Sequence, residues 1–315
     1  IVEVWNSTSS ARNDSIACET VDFWNRVKST TYIQVSTPAR GHSSQRITLL
    51  PQGVTGAYRV MIYRRDLAKT QDEYTFTVVP RPPTTGPDPH AILGTDLPFI
   101  PYYLATGQRI GIKWLRTLST GSKPFRWNVA EPTDGAYRFF NSDIQRAVSY
   151  GYTILGCLGE ALDRTPQWAR TAPEVPSLVK LDAWRDFVRT IVTNYKPWVH
   201  HWEIWNEPDT EGGLFSYPDH YAQLLSTASA EIRSADPSAS VVAFVASDPG
   251  YVTRVLPYLS GTNVWDIFSH HFYSSSPSLL QQFNSQIWSN YQKPVWNSES
   301  GIIHKTFYQS ILWED

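Results

Sequence analysis

The sequence predicts an α/β fold, a barrel of alternating strands and helices, preceded by a small all-β sandwich domain. Residues 1–80 hold short runs rich in β-branched and aromatic residues with turn residues between them. From residue 91 to residue 315, short apolar runs alternate with longer segments of helical periodicity, which is the pattern of an α/β domain. The proline-rich residues 81–90 are predicted to be a semi-rigid linker between the two domains.

Four strands are predicted in the N-terminal domain, at residues 31–35, 45–50, 57–63 and 74–79. The chain also opens in a strand-like run, Ile1 to Trp5, which is consistent with a sandwich whose first strands precede this sequence. We expect the domain to stabilise or orient the barrel. Sugar binding is the weaker alternative, because the sequence requires no aromatic platform to face solvent.

The composition excludes several classes of partner. The chain has 27 basic and 29 acidic residues without a basic cluster, so nothing favours binding to nucleic acid or to a membrane surface. No apolar run is long enough to span a bilayer, and no signal peptide is visible at Ile1, so a mature or trimmed chain is expected. The 13 Trp and 17 Tyr residues suit both a large core and a groove for sugar rings. Cys18 and Cys157 are predicted to be unpaired and partly buried, which leaves the compartment undecided.

Seven strands and six helices are predicted in the barrel domain. The strands lie at residues 91–94, 114–118, 152–159, 202–205, 240–245, 264–272 and 295–299. The helices lie at residues 102–111, 139–150, 177–195, 218–235, 249–259 and 277–291, and Asn141 or Ser142 caps the second of them. A complete (β/α)₈ barrel needs an eighth strand and helix, roughly fifty more residues. Residues 302–315 provide at most one helix, at 307–313, so the eighth βα unit is expected to be incomplete.

Two carboxylates are predicted to lie at the carboxyl ends of two barrel strands. The apolar run around Trp202 ends in Asn206-Glu207-Pro208, because proline cannot continue a central strand. The run at residues 294–296 leads in the same way to Glu299. The carboxyl ends of barrel strands carry the chemistry, so both side chains are expected to face one crevice. Glycoside hydrolysis requires two carboxylates arranged in this way.

The Asn206-Glu207-Pro208 strand end, the later Glu299 strand end and His271-Phe272-Tyr273 between them resemble clan A of the retaining glycoside hydrolases. The nearest likeness is to family 39, with families 5 and 10 as more distant relatives, and it spans roughly residues 91–301. Asn-Glu-Pro alone is a weak signal, whereas the ordered set with helix-length segments between its members is strong. The resemblance implies a (β/α)₈ barrel that cleaves β-linked glycans by double displacement.

The resemblance implies different roles for the two carboxylates. Glu207, after the fourth strand, would be the acid/base, and Glu299, after the seventh strand, would be the nucleophile. One group must hold a proton near neutral pH while the other stays ionised, and the charge on one raises the pKa of the other. Retention of configuration implies a carboxyl separation of about 5–5.5 Å.

The resemblance also assigns four residues to the crevice. Asn206 would bind the sugar hydroxyl beside the anomeric carbon, with capping of the following turn as the alternative. Arg116, at the end of the second strand, would pair with Glu299 and keep it ionised, with a surface salt bridge as the alternative. His271 and Tyr273 would lie on the crevice side, where Tyr273 donates a hydrogen bond to the nucleophile.

Two further residues are weaker candidates for sugar contacts. Glu160 follows the third strand, and its carboxylate could bind a sugar hydroxyl. Trp168 lies in a loop that looks like the family's Trp-Ala element and could floor a subsite. Trp296 is expected to pack in the barrel wall, whereas Trp127 fits either role.

The sequence therefore predicts a secreted or cell-surface retaining glycoside hydrolase whose partner is an oligosaccharide or polysaccharide. No organic cofactor is expected for such an enzyme. His270 and His271 are adjacent on a strand and point to opposite faces, and there is no paired-His helix or cysteine cluster, so a catalytic metal is not expected either. A transglycosylase with the same residues is one alternative. The other is a non-catalytic glycan-binding or structural protein, which the two carboxylates disfavour and the missing eighth strand weakly favours. The sugar, the linkage, endo or exo action and the oligomeric state stay open.

Overall fold

The computed structural model describes residues 2–22, 26–49, 56–66, 70–78, 86–88, 90–91, 94–118, 124–160, 164–210, 213–248, 250–273 and 277–300. The chain divides into two compact units, Ile1–Arg81 and Pro82–Asp315. Most of the predicted linker, part of the strand predicted at residues 91–94 and the helix predicted at residues 307–313 lie outside the described residues.

The described part of the N-terminal unit contains antiparallel strands in two layers. The strands are β1 (Val2–Asn6), β2 (Arg12–Asp22), β3 (Val27–Thr37), β4 (Gly41–Gln45), β5 (Gly56–Arg64) and β6 (Thr70–Val78). One sheet has the order β3-β2-β5-β6, and β1 pairs with β4 in the other. Val2 of β1 packs with Ile16, Cys18 and Val35 in one buried cluster, so the small sheet covers the larger one. The predicted all-β architecture is confirmed.

Two features of this unit differ from the sequence prediction. The strand predicted at residues 45–50 lies earlier in the chain, at Gly41–Gln45. The next residues leave the sheet, and Ile47 and Leu49 pack against the buried cluster. Trp5 is 71 % exposed and stacks on His42 of the neighbouring strand, with 4.5 Å between the ring centroids. An aromatic ring therefore does face solvent on this unit, which the sequence did not indicate.

The second unit is built on a parallel sheet whose strands follow chain order. They are β7 (Gly94–Asp96), β8 (Trp114–Arg116), β9 (Thr153–Leu158), β10 (His201–Ile204), β11 (Ser240–Ala246), β12 (Ile267–Phe272) and β13 (Val295–Ser300). The helices are α1 (Pro101–Arg109), α2 (Trp127–Ala130), α3 (Asn141–Ser149), α4 (Leu181–Tyr195), α5 (Pro218–Ala235), α6 (Tyr251–Val255) and α7 (Pro277–Tyr291). Parallel neighbours need crossover connections, which the helices between the strands provide. The predicted α/β architecture is confirmed.

A large buried cluster supports β10, the strand that leads to Glu207. Trp184, Phe187 and Ile191 recur at helical spacing on α4 and are buried in the same cluster as Trp202 and Ile204 of β10. Each fully buried side chain of this size contributes about 1.5–3 kcal/mol to stability. The end of β10 is therefore held by close packing, which is what a precisely aimed side chain requires.

Two helix starts differ from the prediction. The helix predicted from residue 177 begins at Leu181, because Val179 forms an isolated antiparallel bridge with the preceding loop. The predicted capping of α3 by Asn141 or Ser142 is wrong, since Phe140 occupies the cap position and no side chain caps this helix. At Val179, a contact with the preceding loop overrides the helical pattern of the sequence. At the start of α3, the predicted hydrogen bond from a cap side chain does not form.

The described sheet curls into a nearly closed barrel. Its edge strands are β7 and β13. Trp114 of β8 and Trp296 of β13 have ring centroids 5.1 Å apart, although their strands are not hydrogen-bonded neighbours. A cavity of about 790 Å³ lies between the two edges and is lined by Thr95 and Val295, among others. Trp296 therefore lies inside the barrel rather than on its outer surface.

Both cysteines lie in the interior of the fold. Cys18 and Cys157 are free and buried, and burial raises the pKa of each thiol. The prediction that they are unpaired is confirmed, and their burial is more complete than expected.

Among the described residues, no helix combines the length and the apolar character needed to cross a bilayer.

Candidate active site

Six of the eight predicted site residues lie together at the carboxyl end of the barrel sheet. They are Arg116, Asn206, Glu207, His271, Tyr273 and Glu299. Parallel strands present their carboxyl ends at one edge, so residues as far as 183 positions apart in the chain are brought into contact there.

The backbone turns sharply after β10. Trp205 and Glu207 have φ angles of 65° and 41°, in the left-handed region that costs about 1–3 kcal/mol for a residue other than glycine. Gly159, after β9, allows the turn, because a Cβ there would lie 2.2 Å from the Trp205 ring. The Glu207 amide donates to the carbonyl of Val245 at 3.2 Å, which fixes the turn to the end of β11.

Three side chains bind the Glu207 carboxylate. Nδ1 of His271 lies 2.7 Å from Oε1, the Ser247 hydroxyl donates to the same oxygen at 2.8 Å, and the Thr210 hydroxyl donates to Oε2 at 2.9 Å. The hydrogen bond from His271, with smaller contributions from the two hydroxyls, outweighs the opposing effect of burial, and together they lower the pKa of Glu207 to about 2. In this arrangement Glu207 is ionised, which differs from the protonated resting state expected of an acid.

A second acidic residue, Asp209, holds the loop that carries Ser247. The backbone amides of Ser247 and Asp248 donate to the Asp209 carboxylate at 3.1 and 2.6 Å. Sequence reasoning missed both Ser247 and Asp209. The signal for Ser247 was present, because it is a polar residue that directly follows the apolar run of β11, as Asn206 follows that of β10.

The Glu299 carboxylate has a cation and a hydroxyl as partners. Nη1 of Arg116 lies 2.6 Å from its Oε2, and the Tyr273 hydroxyl donates to Oε1. Burial raises the pKa of Tyr273, and its hydrogen bond to Glu299 raises the pKa further, so the hydroxyl keeps its proton. The Glu299 side chain is 34 % exposed, which leaves room for a ligand beside it.

Arg116 connects three acceptors from inside the barrel. Its Nε donates to Glu203 at 2.6 Å and its Nη2 donates to Oδ1 of Asn206 at 2.7 Å, in addition to the contact with Glu299. Burial would lower the pKa of Arg116, but the charge on Glu203 raises it and the guanidinium stays charged. The guanidinium itself is buried, so the alternative that Arg116 forms a surface salt bridge is wrong. Because Oδ1 of Asn206 accepts this bond, its amide nitrogen is the group left to face a sugar hydroxyl.

Glu203 is a buried partner of Arg116 that sequence reasoning missed, because it lies in mid-strand within an apolar run. Its side chain is fully buried. Replacing Glu203 by alanine should lower the free energy of unfolding by about 3–5 kcal/mol, since it leaves the buried Arg116 charge without its fully buried partner. Glu203→Gln keeps an acceptor and should cost about 1–2 kcal/mol. Urea denaturation followed by circular dichroism measures both.

The matched control for Glu203 is Asp186→Ala, which removes an exposed carboxylate 3.5 Å from Arg189 on α4. Exposed pairs of this kind contribute less than about 1 kcal/mol. If Glu203→Ala is no less stable than Asp186→Ala, the buried pair does not hold Arg116 in place.

The side chains of Glu207, His271 and Glu299 also form a compact group of potential metal ligands. One oxygen of each carboxylate and one imidazole nitrogen all lie within 4.8 Å of one another. Such groups are of the kind that bind divalent cations. The guanidinium of Arg116 lies 2.6 Å from Glu299 and is permanently charged. It therefore repels a cation and disfavours metal binding at these three side chains.

The two weaker candidates have partners of their own. Glu160 follows β9 and pairs with Arg164; burial raises the pKa of Glu160, while this arginine opposes the rise. Trp168 lies in a short 3₁₀ turn and packs edge-to-face on the buried Trp127, at 6.1 Å between centroids. Trp127 is therefore a core residue. The sugar contacts of Glu160 and Trp168 stay predictions.

His270 has a structural partner on α7. Its Nε2 lies 3.1 Å from Oδ1 of Asn284 on α7, on the other side of β12 from the carboxylates that His271 approaches.

Comparison with solved structures supports the fold. A family 39 glycoside hydrolase from the gut symbiont Bacteroides cellulosilyticus WH2 matches with a TM-score of 0.59 at 16% identity, over 94% of this chain and 64% of that one. A family 39 β-xylosidase from Caulobacter crescentus matches with a TM-score of 0.53 at 18% identity, over 70% of this chain and 56% of that one. At these identities the likeness shows the fold, and it confirms the resemblance to family 39 proteins that the motifs indicated.

Comparison by sequence finds distant relatives among curated proteins. Endo-1,4-beta-xylanase A of Phanerodontia chrysosporium is 27% identical over 133 residues, which cover 39% of this chain and 31% of the xylanase. Endo-1,4-beta-xylanase of Agaricus bisporus is 25% identical over 125 residues, covering 38% of this chain and 37% of the xylanase. The matched region thus amounts to about a third of the length of these relatives. No protein-family model matches the chain.

Proposed function

We propose that this chain is a retaining glycoside hydrolase that cleaves β-linked glycans, with Glu207 as the acid/base and Glu299 as the nucleophile. The spacing of the two carboxylates carries the proposal, because one oxygen of each lies within 4.8 Å of the other. Retaining enzymes have carboxyl groups about 5–5.5 Å apart, whereas inverting enzymes need about 6.5–9.5 Å to admit a water molecule.

The partners of the carboxylates support this division of roles. Arg116 and Tyr273 each bind one oxygen of Glu299 and hold the carboxylate in place. In the first step, a Glu299 oxygen bonds to the anomeric carbon, the bond to the leaving oxygen breaks, and Glu207 gives that oxygen a proton. In the second step, Glu207 takes a proton from water, and the water oxygen displaces Glu299 from the anomeric carbon.

Glu207 must gain a proton before it acts as the acid, because its hydrogen bonds hold its pKa at about 2. That proton comes from solvent before the first step, and the 2.7 Å contact with Nδ1 of His271 holds the Glu207 carboxyl group in place.

The proposed substrate is a β-linked oligosaccharide or polysaccharide. The curated relatives are named as endo-1,4-β-xylanases, and one similar structure is a β-xylosidase, so β-xylosides are the first compounds to test. A two-carboxylate displacement uses no organic cofactor. A polymeric substrate suits an enzyme that acts outside the cell or at its surface.

The proposed barrel includes an eighth strand between β7 and β13. These strands are the edges of the described sheet, and the 790 Å³ cavity separates them. Edge strands have unpaired backbone donors and acceptors, which a strand inserted between them would satisfy. The same strand would cover Trp114 and Trp296, which line the cavity.

Proton NMR of the released sugar tests the proposed function. We expect the parent protein to hydrolyse one of a series of aryl β-glycosides, beginning with the xyloside, and to release the β-anomer before mutarotation. Glu207→Ala and Glu299→Ala are measured beside it. An α-anomer released first would contradict retention, and no hydrolysis of any glycoside by the folded parent would contradict the enzyme assignment.

A further inference from the structure

An exposed aromatic ring and an arginine lie together on the segments that follow β10 and β11. Phe215, in the loop between β10 and α5, is 51 % exposed. The guanidinium carbon of Arg254, on α6, lies 4.1 Å from the centre of the Phe215 ring. One side of the ring is covered by this cation, and the remainder is open to a flat apolar group.

Short links connect the Phe215–Arg254 pair to the end of β10. The amide of Leu214 donates to the carbonyl of Pro208, the residue after Glu207, at 2.7 Å. Tyr251, at the start of α6, donates from its hydroxyl to the carbonyl of Leu214 at 2.9 Å. Leu214 and Tyr251 are both buried, so the packed core holds the pair beside the strand end that carries Glu207.

Among the described residues, the guanidinium of Arg254 contacts an aromatic ring and not a carboxylate. Arg189 and Arg233, on the neighbouring helices, are bound to Glu231 and Asp266. Arg254 has no such carboxylate partner within the described ranges; its close contact there is the Phe215 ring. A guanidinium over a ring still has N–H donors in its own plane, and two of them match the oxygens of a carboxylate.

We propose that Phe215 and Arg254 form a subsite for a uronic acid, the sugar unit next to the cleaved bond on the leaving-group side. This inference rests on the proposed function, because Glu207 as the acid faces the leaving oxygen and so defines that side. The Phe215 ring packs against the C–H face of the sugar, and Arg254 pairs with its carboxylate. The preferred glycans therefore carry an acidic unit after the bond that is cut.

Two disaccharides that differ only at one carbon test the subsite. The sugar that the parent hydrolyses best is linked β-1,4 to glucose in one and to glucuronic acid in the other. We expect kcat/KM to favour the glucuronic acid compound by about fivefold, the effect of one partly exposed ion pair with charge-assisted hydrogen bonds. Arg254→Gln should bring the ratio to one, and Phe215→Ala should lower both values by about fivefold.

The controls separate the subsite from the reaction itself. A β-glycosyl fluoride has a single-atom leaving group, so both variants should hydrolyse it at the parent rate. Arg189→Gln removes an arginine on α4 and should keep the preference for glucuronic acid. A parent without preference, or a preference that survives Arg254→Gln, overturns the proposal.

Binding provides a readout that does not depend on turnover. The two disaccharides, with xylose as the first sugar, are titrated by calorimetry into Glu299→Ala with and without Arg254→Gln. Tighter binding of the acidic compound that is lost with Arg254 supports the subsite even if the parent hydrolyses nothing and the proposed function fails. Equal binding of the two compounds overturns the subsite whatever the activity.

Discussion

Replacing Glu299 by alanine is expected to lower the turnover of aryl β-glycosides by about 10⁵-fold, because the group that attacks the anomeric carbon is lost. The substitution should leave the fold intact, since the Glu299 side chain is 34 % exposed and belongs to no buried apolar cluster. Arg116 keeps its bonds to Glu203 and Asn206 in the variant. The measurement is kcat for the parent and the variant on the same glycoside.

Sodium azide distinguishes a missing nucleophile from a damaged fold. In Glu299→Ala, azide can attack from the vacated side, so the reaction involves one inversion and the product is the α-glycosyl azide. Asp186→Ala, which removes an exposed carboxylate on α4, is the control and should keep the parent rate. Full activity in Glu299→Ala, or a β-glycosyl azide from it, would show that Glu299 is not the nucleophile.

Replacing Glu207 by alanine should slow hydrolysis according to the basicity of the leaving group. Sugar leaving groups need a proton, and their cleavage should fall by about 10³-fold, within the range for general acid catalysis. A dinitrophenyl group leaves without a proton, so the first step on that substrate should change little. Steady-state and burst kinetics on a series of aryl glycosides measure this dependence.

With azide, Glu207→Ala is expected to give the anomer opposite to the one expected from Glu299→Ala. The glycosyl bond to Glu299 still forms, and azide then displaces it in a second inversion, so the expected product is the β-glycosyl azide. Ser247→Ala removes one donor to Glu207 but leaves the carboxylate, and it should keep the parent's response to leaving groups. An equal loss of hydrolysis rate on every substrate would argue that Glu207 supports the structure and is not the acid.

The position of both carboxylates could be predicted from the sequence for a physical reason. A short apolar run that ends in Asn206-Glu207-Pro208 has to stop at the proline, and the run before Glu299 ends in a similar polar cluster. Alternation with helices implies a parallel sheet, whose carboxyl ends lie at one edge. Local patterns therefore suffice to bring these two side chains to one crevice, and β10 and β13 carry them there.

Other parts of the site could not be predicted in this way. Glu203 lies in mid-strand, where a charged residue is destabilising unless it has a partner, and its partner Arg116 is 87 positions away. The helix predicted from residue 177 begins only at Leu181, because a bridge to an earlier loop extends the backbone at Val179. In both cases the deciding contact is distant in sequence.

By itself, the sequence determined the alternation of strands and helices and the strand ends at which the carboxylates lie, since both depend on periodicity and on residues that stop a strand. The resemblance anticipated the contacts of Arg116 and Tyr273 with Glu299, whereas the tertiary structure alone decided the partners of Glu207. It placed His271, which is 64 positions away, 2.7 Å from Glu207 and so lowered the pKa of this carboxyl to about 2. A pKa and an ion pair depend on distances of a few ångströms, and only the packed barrel sets those distances.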